Sequence, residues 1–364
     1  MKSNIYKTLI IIFLSTTLTS KISAEDTIKI GVLACLSGGC AEWGNATKNG
    51  LQLALDKINS NEGVLNKKIE LLFEDTNEAT AAMQAVTAFR LLNSRHKIKF
   101  FIGPSWTPAG LALAPIAGKM DDVVMISPSL GVAEFNEYAP NLFNTMMHSE
   151  TATQKLANLA FEQGWRNAGV FSSQQPWENL QGKVFSEEFS RLGGKISLLI
   201  EPLPDVVDLR TECLKMISSK PDVIFLANLN QEGIAAKRLR ALNYKGPFFS
   251  ALIDQTRINE ANGALEGAIS AQSPESEPEF VDQYIAKYGF KPTSSADTAH
   301  DALIALSKAI ALTNSTDPIR VRENLQKVQF DGASGKVLFD HKGGVIREPF
   351  IVKVENNQLV PVED

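Results

Sequence analysis

Short runs of β-branched and aromatic residues alternate along the chain with longer stretches in which apolar residues recur every three or four positions. The runs Ile28–Leu33 and Lys68–Glu74 predict strands, and the stretch between them predicts a helix over Ala46–Asn59. The alternation continues, for example with a helix at Gln181–Leu192 and a strand at Lys195–Ile200. Strands that alternate with helices of about 10 to 15 residues are typical of parallel sheets covered by helices on both faces.

This alternation forms two successive series, and each series is long enough to bury a core of its own. The segment Ser273–Pro278 that follows the second series is acidic and rich in proline and serine, which is typical of a connection between lobes. Beyond it, the pattern predicts helices around Ala296–Leu312 and Pro318–Gln326 and a terminal β region at Lys336–Val360. We therefore predict an α/β fold of two similar lobes, each with a parallel central sheet.

The first 24 residues have a different pattern. Lys2 and Lys7 precede an apolar centre at Leu9–Leu14, and the small residues of Ile22-Ser23-Ala24 fit a cleavage site. The apolar centre is too short to cross a bilayer, so residues 1–24 are predicted to be a secretory signal peptide. An N-terminal anchor or a buried helix is the alternative interpretation.

Charge and composition limit the partners of the exported chain. The composition, 44% hydrophobic and 21% charged, is that of an ordinary soluble globular protein. Removal of the predicted leader takes away three lysines and no acid, which leaves 33 basic and 41 acidic residues and a net charge of −8. A net negative charge of this size argues against nucleic acid and anionic lipid surfaces as partners.

Export to an oxidising compartment makes the three cysteines informative. Cys35 and Cys40 could close a small loop, so we expect a local disulfide, with two free thiols as the alternative. Cys213 lies at helical apolar spacing and is expected to be a buried, inert thiol. No metal site is expected, because the chain has no Cys-x-x-Cys motif and its four histidines are scattered.

Ligands of open parallel sheets bind outside the carboxyl ends of the strands. Trp43, Trp106 and Trp177 fall on segments that follow predicted strands, whereas Trp165 does not. Core packing would place most tryptophans inside helices and strands, so this distribution indicates a cleft lined by aromatic side chains. The candidate ligand-binding residues after the strands are Trp43, Ser105, Trp106, Thr107, Ser129, Leu130, Gly131, Trp177, Leu229, Asn230, Leu252 and Asp254.

The segment Pro104–Pro108 is the most specific of these candidates, because it joins a strand to a helix that has proline in its first turn. The hydroxyls of Ser105 and Thr107, with the free backbone N–H groups at the start of the helix, could hold a ligand carboxylate. The alternative is that the same hydroxyls serve only as helix caps.

Enzyme motifs are mostly absent. The chain has no Gly-x-Ser-x-Gly elbow, no phosphate-binding loop and no His-Glu-x-x-His motif. Ser127 and Ser129 follow a predicted strand, but the sequence places no histidine beside them as a base. His300 and Asp301 are adjacent on a predicted helix and point in different directions, so we interpret them as a helix-surface or lobe-contact pair. We therefore predict no catalytic residues and no cofactor.

Short segments that follow one another in a fixed order carry a family resemblance. They are Ile28-Lys29-Ile30-Gly31-Val32, Leu36-Ser37-Gly38, Ala41-Glu42-Trp43-Gly44, Phe101-Ile102-Gly103-Pro104, Met125-Ile126-Ser127-Pro128-Ser129 and Lys220-Pro221-Asp222-Val223-Ile224. Each motif is short, but together they resemble the periplasmic solute-binding proteins of branched-chain amino acid-type ABC importers over essentially the whole mature chain.

This resemblance implies a type I periplasmic binding protein, in which two Rossmann-like lobes are joined by a three-stranded hinge and the solute lies between them. Residues 25–145 and 273–340 would form lobe I, and residues 146–272 and 341–364 would form lobe II. The resemblance also implies a periplasmic monomer whose partners are a small-molecule solute and the permease and ATPase subunits of an ABC importer.

The resemblance assigns two kinds of contact by position. Thr107 and Ser129 match positions that hold a ligand carboxylate in the family, and Trp43 and Trp177 match positions where aromatic side chains line the site.

The family's contacts to a ligand ammonium are missing at the matching positions. The usual hydroxyl falls at Gly131 and the usual acid near Leu252, although Asp254 or Glu178 could substitute. These departures weigh against a branched-chain amino acid and favour an aromatic or otherwise apolar solute.

The predicted function is that of a non-enzymatic solute-binding protein, which takes up a small amino-acid-like or aromatic carboxylate by hinge closure. Two alternatives remain open. One is a solute sensor of the same fold that serves a membrane receptor, and the other is a secreted hydrolase that uses Ser127 or Ser129.

Overall fold

The computed structural model describes residues 27–78 and 82–362, so the predicted signal peptide lies outside the described residues. The α-helices of the described chain are α1 (Ala41–Ser60), α2 (Ala82–Arg90), α3 (Thr107–Ala117), α4 (Ala133–Glu137), α5 (Ser149–Glu162), α6 (Pro176–Arg191), α7 (Arg210–Ser218), α8 (Glu232–Ala241), α9 (Gln255–Ala261), α10 (Pro278–Tyr288), α11 (Ala296–Thr313) and α12 (Pro318–Leu325).

The strands of the described chain form three sheets. They are β1 (Thr27–Ala34), β2 (Lys68–Asp75), β3 (Phe100–Ile102), β4 (Val124–Ser127), β5 (Leu142–Asn144), β6 (Asn167–Phe171), β7 (Lys195–Ile200), β8 (Val223–Leu226), β9 (Phe248–Ser250), β10 (Ile269–Gln272), β11 (Gln329–Gly332), β12 (Gly335–Leu338), β13 (Phe350–Glu355) and β14 (Gln358–Pro361).

The first large sheet has the order β2-β1-β3-β4-β5, and all of its pairings are parallel. Alternate residues of β1 point to opposite faces, as the period of a strand requires. Ile30 and Val32 join the apolar cluster on one face, whereas Leu33 joins Phe101 in the cluster on the other. Both faces are therefore buried, which explains why the strands of this sheet are almost continuously hydrophobic.

The second large sheet has the order β14-β13-β10-β9-β8-β6-β7. The strands from β7 to β10 are parallel, whereas β13 and β14 are added antiparallel at one edge. Apolar clusters again cover both faces, one including Phe171 and Phe248 and the other including Phe225 and Phe249. The prediction of an α/β fold with parallel central sheets is confirmed.

The chain returns to the first sheet after its second series of strands and helices. Helix α11 packs against α1 and supplies Leu303, Leu306 and Ile310 to a core cluster of the first sheet. The two helices cross closely at Gly50, where a Cβ atom would lie 1.8 Å from the carbonyl oxygen of Ala296. Since β13 and β14 then join the second sheet, the chain passes between the sheets three times; the exact lobe boundaries stay a prediction.

Two helices begin earlier than the sequence pattern indicates. Helix α1 begins at Ala41 rather than at Ala46, and α6 begins at Pro176 rather than at Gln181. Proline fits the first turn of α6, and the side chain of Gln175 caps this helix by accepting a hydrogen bond from the Glu178 N–H (3.0 Å). Trp43 and Trp177 therefore lie in first helical turns, and their predicted placement on loops is wrong.

The sequence pattern also missed short elements. Strand β5 has three residues and α4 has five, so neither is long enough to show a periodicity. Helix α9, strand β10 and helix α10 lie in the region around the predicted connection, where proline and serine obscure the pattern.

Candidate functional site

The carboxyl ends of the parallel strands form one edge of each large sheet. At the first sheet, this edge carries the segments 35–40, 103–107 and 128–131, which follow β1, β3 and β4. At the second sheet, it carries the segments 172–175, 227–231 and 251–254, which follow β6, β8 and β9. We refer to these two groups as the lobe I edge and the lobe II edge.

The two edges meet around Trp177. This half-buried residue of α6 packs against an apolar cluster of the first sheet and also against one of the second. Its indole N–H donates a hydrogen bond to the Ser149 hydroxyl (3.0 Å), and the Ser149 backbone N–H donates to the Gly131 carbonyl (2.8 Å). Leu180, one turn further along α6, packs against the same first-sheet cluster. These contacts show that the start of α6 packs against both large sheets.

At the lobe I edge, Cys35 and Cys40 form a disulfide across Cα atoms 5.7 Å apart, and both residues are fully buried. The start of α1 comes close to this loop, because a Cβ atom on Gly44 would lie 1.7 Å from the Cys35 carbonyl oxygen. The Leu36 N–H donates to Asp75 at the end of β2 (2.9 Å). The segment before α1 is therefore fixed, without any solute, by the disulfide, by its contact with α1 and by the hydrogen bond to Asp75.

The backbone N–H groups of Ser105 and Trp106, just before α3, are not free, which corrects the expectation that they await a ligand carboxylate. The Glu78 carboxylate accepts hydrogen bonds from the N–H groups of Ser105 (3.0 Å) and Trp106 (3.1 Å). It also accepts one from the Thr76 hydroxyl (3.0 Å), and Glu78 is only 3% exposed. An internal carboxylate thus occupies the position where helix N–H groups attract anions.

The electrostatic state of Glu78 follows from this burial. Desolvation raises the pKa of the Glu78 carboxyl to about 7, although the hydrogen bonds from the Ser105 and Trp106 N–H groups favour the ionised form and lower it. The Ser105 hydroxyl is near enough to lower the pKa further, yet it is buried without a hydrogen-bond partner. This hydroxyl and the Thr107 side chain are the predicted polar contacts that remain for a solute at the start of α3.

The hydroxyls of Ser127 and Ser129 take part in the packing of the loops. The Ser127 hydroxyl donates to the Pro104 carbonyl (2.6 Å) and accepts from the Leu130 N–H (3.0 Å), while the Ser129 hydroxyl donates to the Ser105 carbonyl (3.3 Å). Among the described residues, no histidine forms a hydrogen bond with either serine. The arrangement therefore lacks the base that a nucleophilic serine requires.

At the lobe II edge, Glu178 connects two of the loops. Its carboxylate accepts hydrogen bonds from the Leu229 N–H (3.1 Å) and from the Ser173 hydroxyl, and the residue is only 4% exposed. Burial raises the pKa of the Glu178 carboxyl, and the Ser173 hydroxyl, the Leu229 N–H and the charge of Arg257 oppose this rise.

Glu232, the first residue of α8, lies beside Glu178 and is 1% exposed. Neither of its carboxylate oxygens accepts a hydrogen bond, and its nearest cation is Arg257, whose Nε lies 4.0 Å from Oε2. Arg257 thus forms a long ion pair with Glu232 and a closer one with Asp254. The Ser250 hydroxyl influences the Glu232 pKa, but it donates to the Leu252 carbonyl (3.2 Å).

Desolvation raises the pKa of the Glu232 carboxyl to about 8. Ser250 and Arg257 oppose this rise, while the negative charges of Asp254 and Glu178 add to it. At the lobe II edge, Arg257 is therefore shared between the buried Glu232 carboxyl and the more exposed Asp254.

The structure places the predicted site residues unequally. Ser105, Trp106, Thr107 and Ser129 lie at the lobe I edge, and Leu229, Asn230, Leu252 and Asp254 lie at the lobe II edge. The side chain of Leu130 belongs to the apolar core of the first sheet and is 1% exposed, so its predicted ligand contact would involve the backbone and stays a prediction.

Gly131 and Trp43, two further predicted ligand contacts, pack against other parts of the chain. Gly131 adjoins the chain that leads to α5, because a Cβ atom there would lie 2.5 Å from the Met147 carbonyl oxygen. Trp43 is half-buried in the first turn of α1, where its carbonyl accepts from the Ser295 hydroxyl (3.2 Å).

Sequence reasoning missed Glu78, Glu232 and Arg257 as site residues. Glu78 follows β2, and Glu232 begins the helix after β8, so both follow strands at the predicted binding edge. Acidic residues at such positions are usually solvent-exposed, and only the tertiary packing shows that these two are buried.

His300 and Asp301 are buried rather than on the helix surface, at 8% and 0% exposure. Asp301 accepts hydrogen bonds from the N–H groups of Ala333 (2.7 Å) and Ser334 (2.8 Å), and the His300 Nδ1 lies 3.0 Å from its Oδ1. The helix-surface interpretation of this pair was wrong, because the turn between β11 and β12 covers this face of α11. Asp301 therefore serves to fix that turn.

The described residues offer few other candidate sites. Within residues 27–78 and 82–362, no group of three or more His, Cys, Asp or Glu side chains is arranged to hold a metal ion. An open cavity of about 480 Å³ lies near Arg240, Lys245 and Asn262, at the opposite end of the second sheet from the lobe II edge. No helix in the same described ranges is long and apolar enough to cross a membrane.

Two lobes with parallel sheets, whose carboxyl edges meet around a buried polar site, define the architecture of a periplasmic binding protein. The family profile described as "Periplasmic binding protein" matches residues 27–358, and the chain belongs to this family. More closely, it is a type I periplasmic binding protein of the branched-chain amino acid type, as the resemblance implied.

Relatives cover nearly the whole chain at low identity. The Leu/Ile/Val-binding protein BraC3 of Rhizobium johnstonii is 22% identical, with 93% of this chain and 95% of that protein aligned. A leucine-binding protein from Thermotoga maritima has a TM-score of 0.82 at 23% identity, with 92% of this chain and 98% of that one covered. A solute-binding protein from Rhodopseudomonas palustris BisB5, in complex with 3,4-dihydroxybenzoic acid, has a TM-score of 0.78 at 24% identity, with coverages of 93% and 97%.

Proposed function

We propose that this protein is the solute-binding component of an ABC importer and works in the periplasm, where it takes up a small amino-acid-like or aromatic solute. Its relatives are solute-binding proteins rather than enzymes. The named relatives include a Leu/Ile/Val-binding protein and a structure with a dihydroxybenzoic acid, so both kinds of solute are represented in the family.

The observation that carries the proposal is the meeting of two strand-end edges around Trp177. A solute placed there contacts both lobes only when they are close together, so it stabilises the closed form by its differential affinity for the two states. The permease would then recognise the closed arrangement of the lobes.

The polar groups available to the solute differ between the lobes. Lobe I offers the Ser105 hydroxyl, the Thr107 side chain and the indole of Trp106, while lobe II offers carboxylates and the exposed side chain of Asn230. None of these groups is arranged with a base and a nucleophile in contact, so the site favours binding over chemical conversion.

A thermal-shift screen tests the proposal, because a ligand that binds only the native state raises its melting temperature. The screen should include amino acids, amides, aromatic acids and amines, and each hit should be confirmed by calorimetry. We expect at least one class to raise Tm with a saturable dose response. A small molecule that is turned over rather than bound would contradict the proposal, as would a hit unaffected by Trp177→Ala.

A further inference from the structure

The described chain passes between the two large sheets through residues 145–148, 273–277 and 346–349, which we call the three connections. The first follows β5, the second follows β10 and the third precedes β13. All three are attached to the same part of α11, which we call the α11 anchor and define as residues 297–301. One short stretch of one helix therefore contacts each link between the lobes.

The first and second connections contact the anchor directly. The Thr145 hydroxyl donates a hydrogen bond to the Thr298 carbonyl (2.8 Å), and Thr145 is fully buried. The Ser276 hydroxyl donates to the Asp297 carboxylate (2.8 Å), which also accepts from the Thr298 N–H (2.7 Å). Two adjacent anchor residues thus fix one residue in each of these connections.

The third connection reaches the anchor through the turn between β11 and β12. The Asp301 carboxylate accepts hydrogen bonds from the Ala333 and Ser334 N–H groups of this turn and from the Ser334 hydroxyl (2.5 Å). The Arg347 guanidinium donates to the same hydroxyl (2.9 Å). The turn also holds the second connection, because the Glu277 N–H donates to the Ala333 carbonyl (2.8 Å). Asp301 therefore holds two connections by fixing one turn.

The charges around Arg347 strengthen this attachment. Burial lowers the pKa of the Arg347 guanidinium, and the negative charges of Asp301 and Asp297 oppose this change. The Arg347 Nε is buried without a hydrogen-bond partner, so among the described residues the Ser334 hydroxyl is the acceptor that orients the guanidinium. Hydrogen bonds to charged groups are stronger than neutral ones, and at low dielectric they make the joined elements rigid.

The anchor leaves few residues free to bend in the first two connections. Thr145 is fixed to α11 and Met147 is buried in a core cluster of the second sheet, so Met146 lies between two fixed points. In the second connection, Ser276 is fixed to α11 and β10 belongs to the second sheet, which leaves residues 273–275.

The third connection is held from both sides in the same way. Arg347 is fixed to the turn before β12, while the Pro349 carbonyl accepts a hydrogen bond from the Lys155 Nζ of α5 (2.8 Å). Glu348 lies between them. Hinges of closing proteins are a few such residues, which absorb the change in backbone angles.

We propose that the α11 anchor positions the hinge, so that Asp297, Asp301 and their partner Arg347 set the balance between open and closed lobes without contact with the solute. The inference rests on the proposed solute-binding function and adds how closure is controlled. These contacts belong to an arrangement in which Trp177 packs against core clusters of both large sheets. Release of a connection lengthens its free segment and lowers the population of this arrangement, so the apparent affinity falls by the same factor.

Three variants each release one connection. Thr145→Val keeps the shape of the side chain and removes the hydrogen bond to Thr298. Ser276→Ala removes the bond to Asp297, and Arg347→Met keeps an apolar stem but removes the guanidinium.

Two control variants make the same kind of change away from the connections. Thr313→Val lies at the other end of α11, where the threonine hydroxyl donates to the Ile310 carbonyl (2.9 Å). Ser186→Ala removes a hydroxyl that donates to the Gly182 carbonyl within α6 (2.7 Å). Both controls lose a local hydrogen bond, so they measure the effect of such a loss where no connection is released.

Distances between two spin labels, one on each lobe, test the inference without any solute. Lys57→Cys on α1 and Glu187→Cys on α6 give exposed label positions, since Cys213 is buried and Cys35 and Cys40 are paired. We expect each releasing variant to have a broader distance distribution than the wild type, and both controls to match the wild type. Wild-type distributions in all three releasing variants would overturn the inference, whatever the protein binds.

Calorimetry with leucine and with 3,4-dihydroxybenzoate, the solutes named for two relatives, separates a positioning role from a purely structural one. We expect the releasing variants to bind a probe that binds the wild type about threefold or more weakly. Their spin distances at saturation should equal those of the saturated wild type, because the closed form itself is unchanged.

Thr145→Val and Thr313→Val give the decisive comparison. If both lower the free energy of unfolding and both keep wild-type affinity and distances, the hydroxyl of Thr145 is only structural and the inference is wrong. If neither probe binds the wild type, the result counts against the proposed solute classes, and the solute-free distances still decide the inference.

Discussion

The lobe I edge and the lobe II edge occupy equivalent positions in similar sheets, but their buried carboxyl groups differ in hydrogen bonding. In lobe I, the Glu78 carboxylate accepts three hydrogen bonds from the chain itself. In lobe II, the equally buried Glu232 carboxylate accepts none. Both groups have raised pKa values because of desolvation. The difference indicates that Glu78 supports the structure of its loop through hydrogen bonds, whereas Glu232 relies on the charge of Arg257.

Glu78→Ala should have the largest effect on stability. The change leaves the buried N–H groups of Ser105 and Trp106 without an acceptor, and each unsatisfied group costs about 1–3 kcal/mol. We expect the free energy of unfolding, measured by urea denaturation, to fall by about 3 kcal/mol. The control Glu70→Ala, at an exposed position of β2, should change it by less than about 0.5 kcal/mol. If Glu78→Ala and Glu70→Ala lower the free energy of unfolding equally, then Glu78 does not stabilise its loop.

Glu232→Gln should raise the stability of the protein at high pH, whereas Glu78→Ala should lower stability. The pKa of Glu232 is raised from its usual 4.5 to about 8, so the folded state binds more protons than the unfolded state between these pH values. The wild type therefore loses stability as pH rises through this window, and the glutamine variant does not. Between pH 5 and pH 7, we expect the difference in unfolding free energy to shift by roughly 2 kcal/mol in favour of the variant.

Urea titrations of the ligand-free proteins across this pH range measure the difference. Glu187→Gln is the matched control, since its exposed carboxyl should give the same pH dependence as the wild type. If the difference in unfolding free energy between the wild type and Glu232→Gln does not grow with pH, then Glu232 is not a buried acid with a raised pKa.

Trp177 contacts both edges. Its substitutions should have smaller effects, which appear in solute affinity and in the closure of the lobes. Trp177→Ala should weaken solute binding by about 1–3 kcal/mol, as for a buried aromatic anchor. Trp177→Phe keeps an aromatic ring but loses part of the indole surface together with the hydrogen bond to Ser149, so it should cost about 1 kcal/mol. Small-angle scattering should show a larger radius of gyration for the ligand-free alanine variant, because contacts with both apolar clusters are lost.

Affinities for these variants are measured by calorimetry with the solute that the thermal-shift screen identifies. If the phenylalanine and alanine variants have wild-type affinity and wild-type scattering, Trp177 belongs to neither the solute site nor the contact between lobes.

Much of the fold could be predicted from sequence because hydrophobic periodicity is a local property. The strand at Lys195–Ile200 and the helices beginning at Ala296 and Pro318 were predicted with bounds that agree within a residue. Short elements such as β5 could not be predicted, since three residues show no period. The early start of α6 depended on a cap from Gln175, which the apolar pattern does not show.

The candidate site could be predicted less well. The rule that ligands gather at strand ends identified the loops that carry Ser105, Trp106, Thr107 and Asp254. It also selected Leu130, whose side chain turns into the core, and it treated the N–H groups before α3 as free. The direction of a side chain and the occupant of a helix N-terminus depend on neighbours that are distant in sequence.

The sequence by itself determined the alternation of strands and helices, the division into two series and the family, because these depend on local periodicity and on the order of short motifs. Only the tertiary structure decided which acids are satisfied and which are not. Glu78 lies 27 positions before Ser105 and Glu232 lies 25 positions before Arg257, and desolvation of a carboxylate depends on what surrounds it in space.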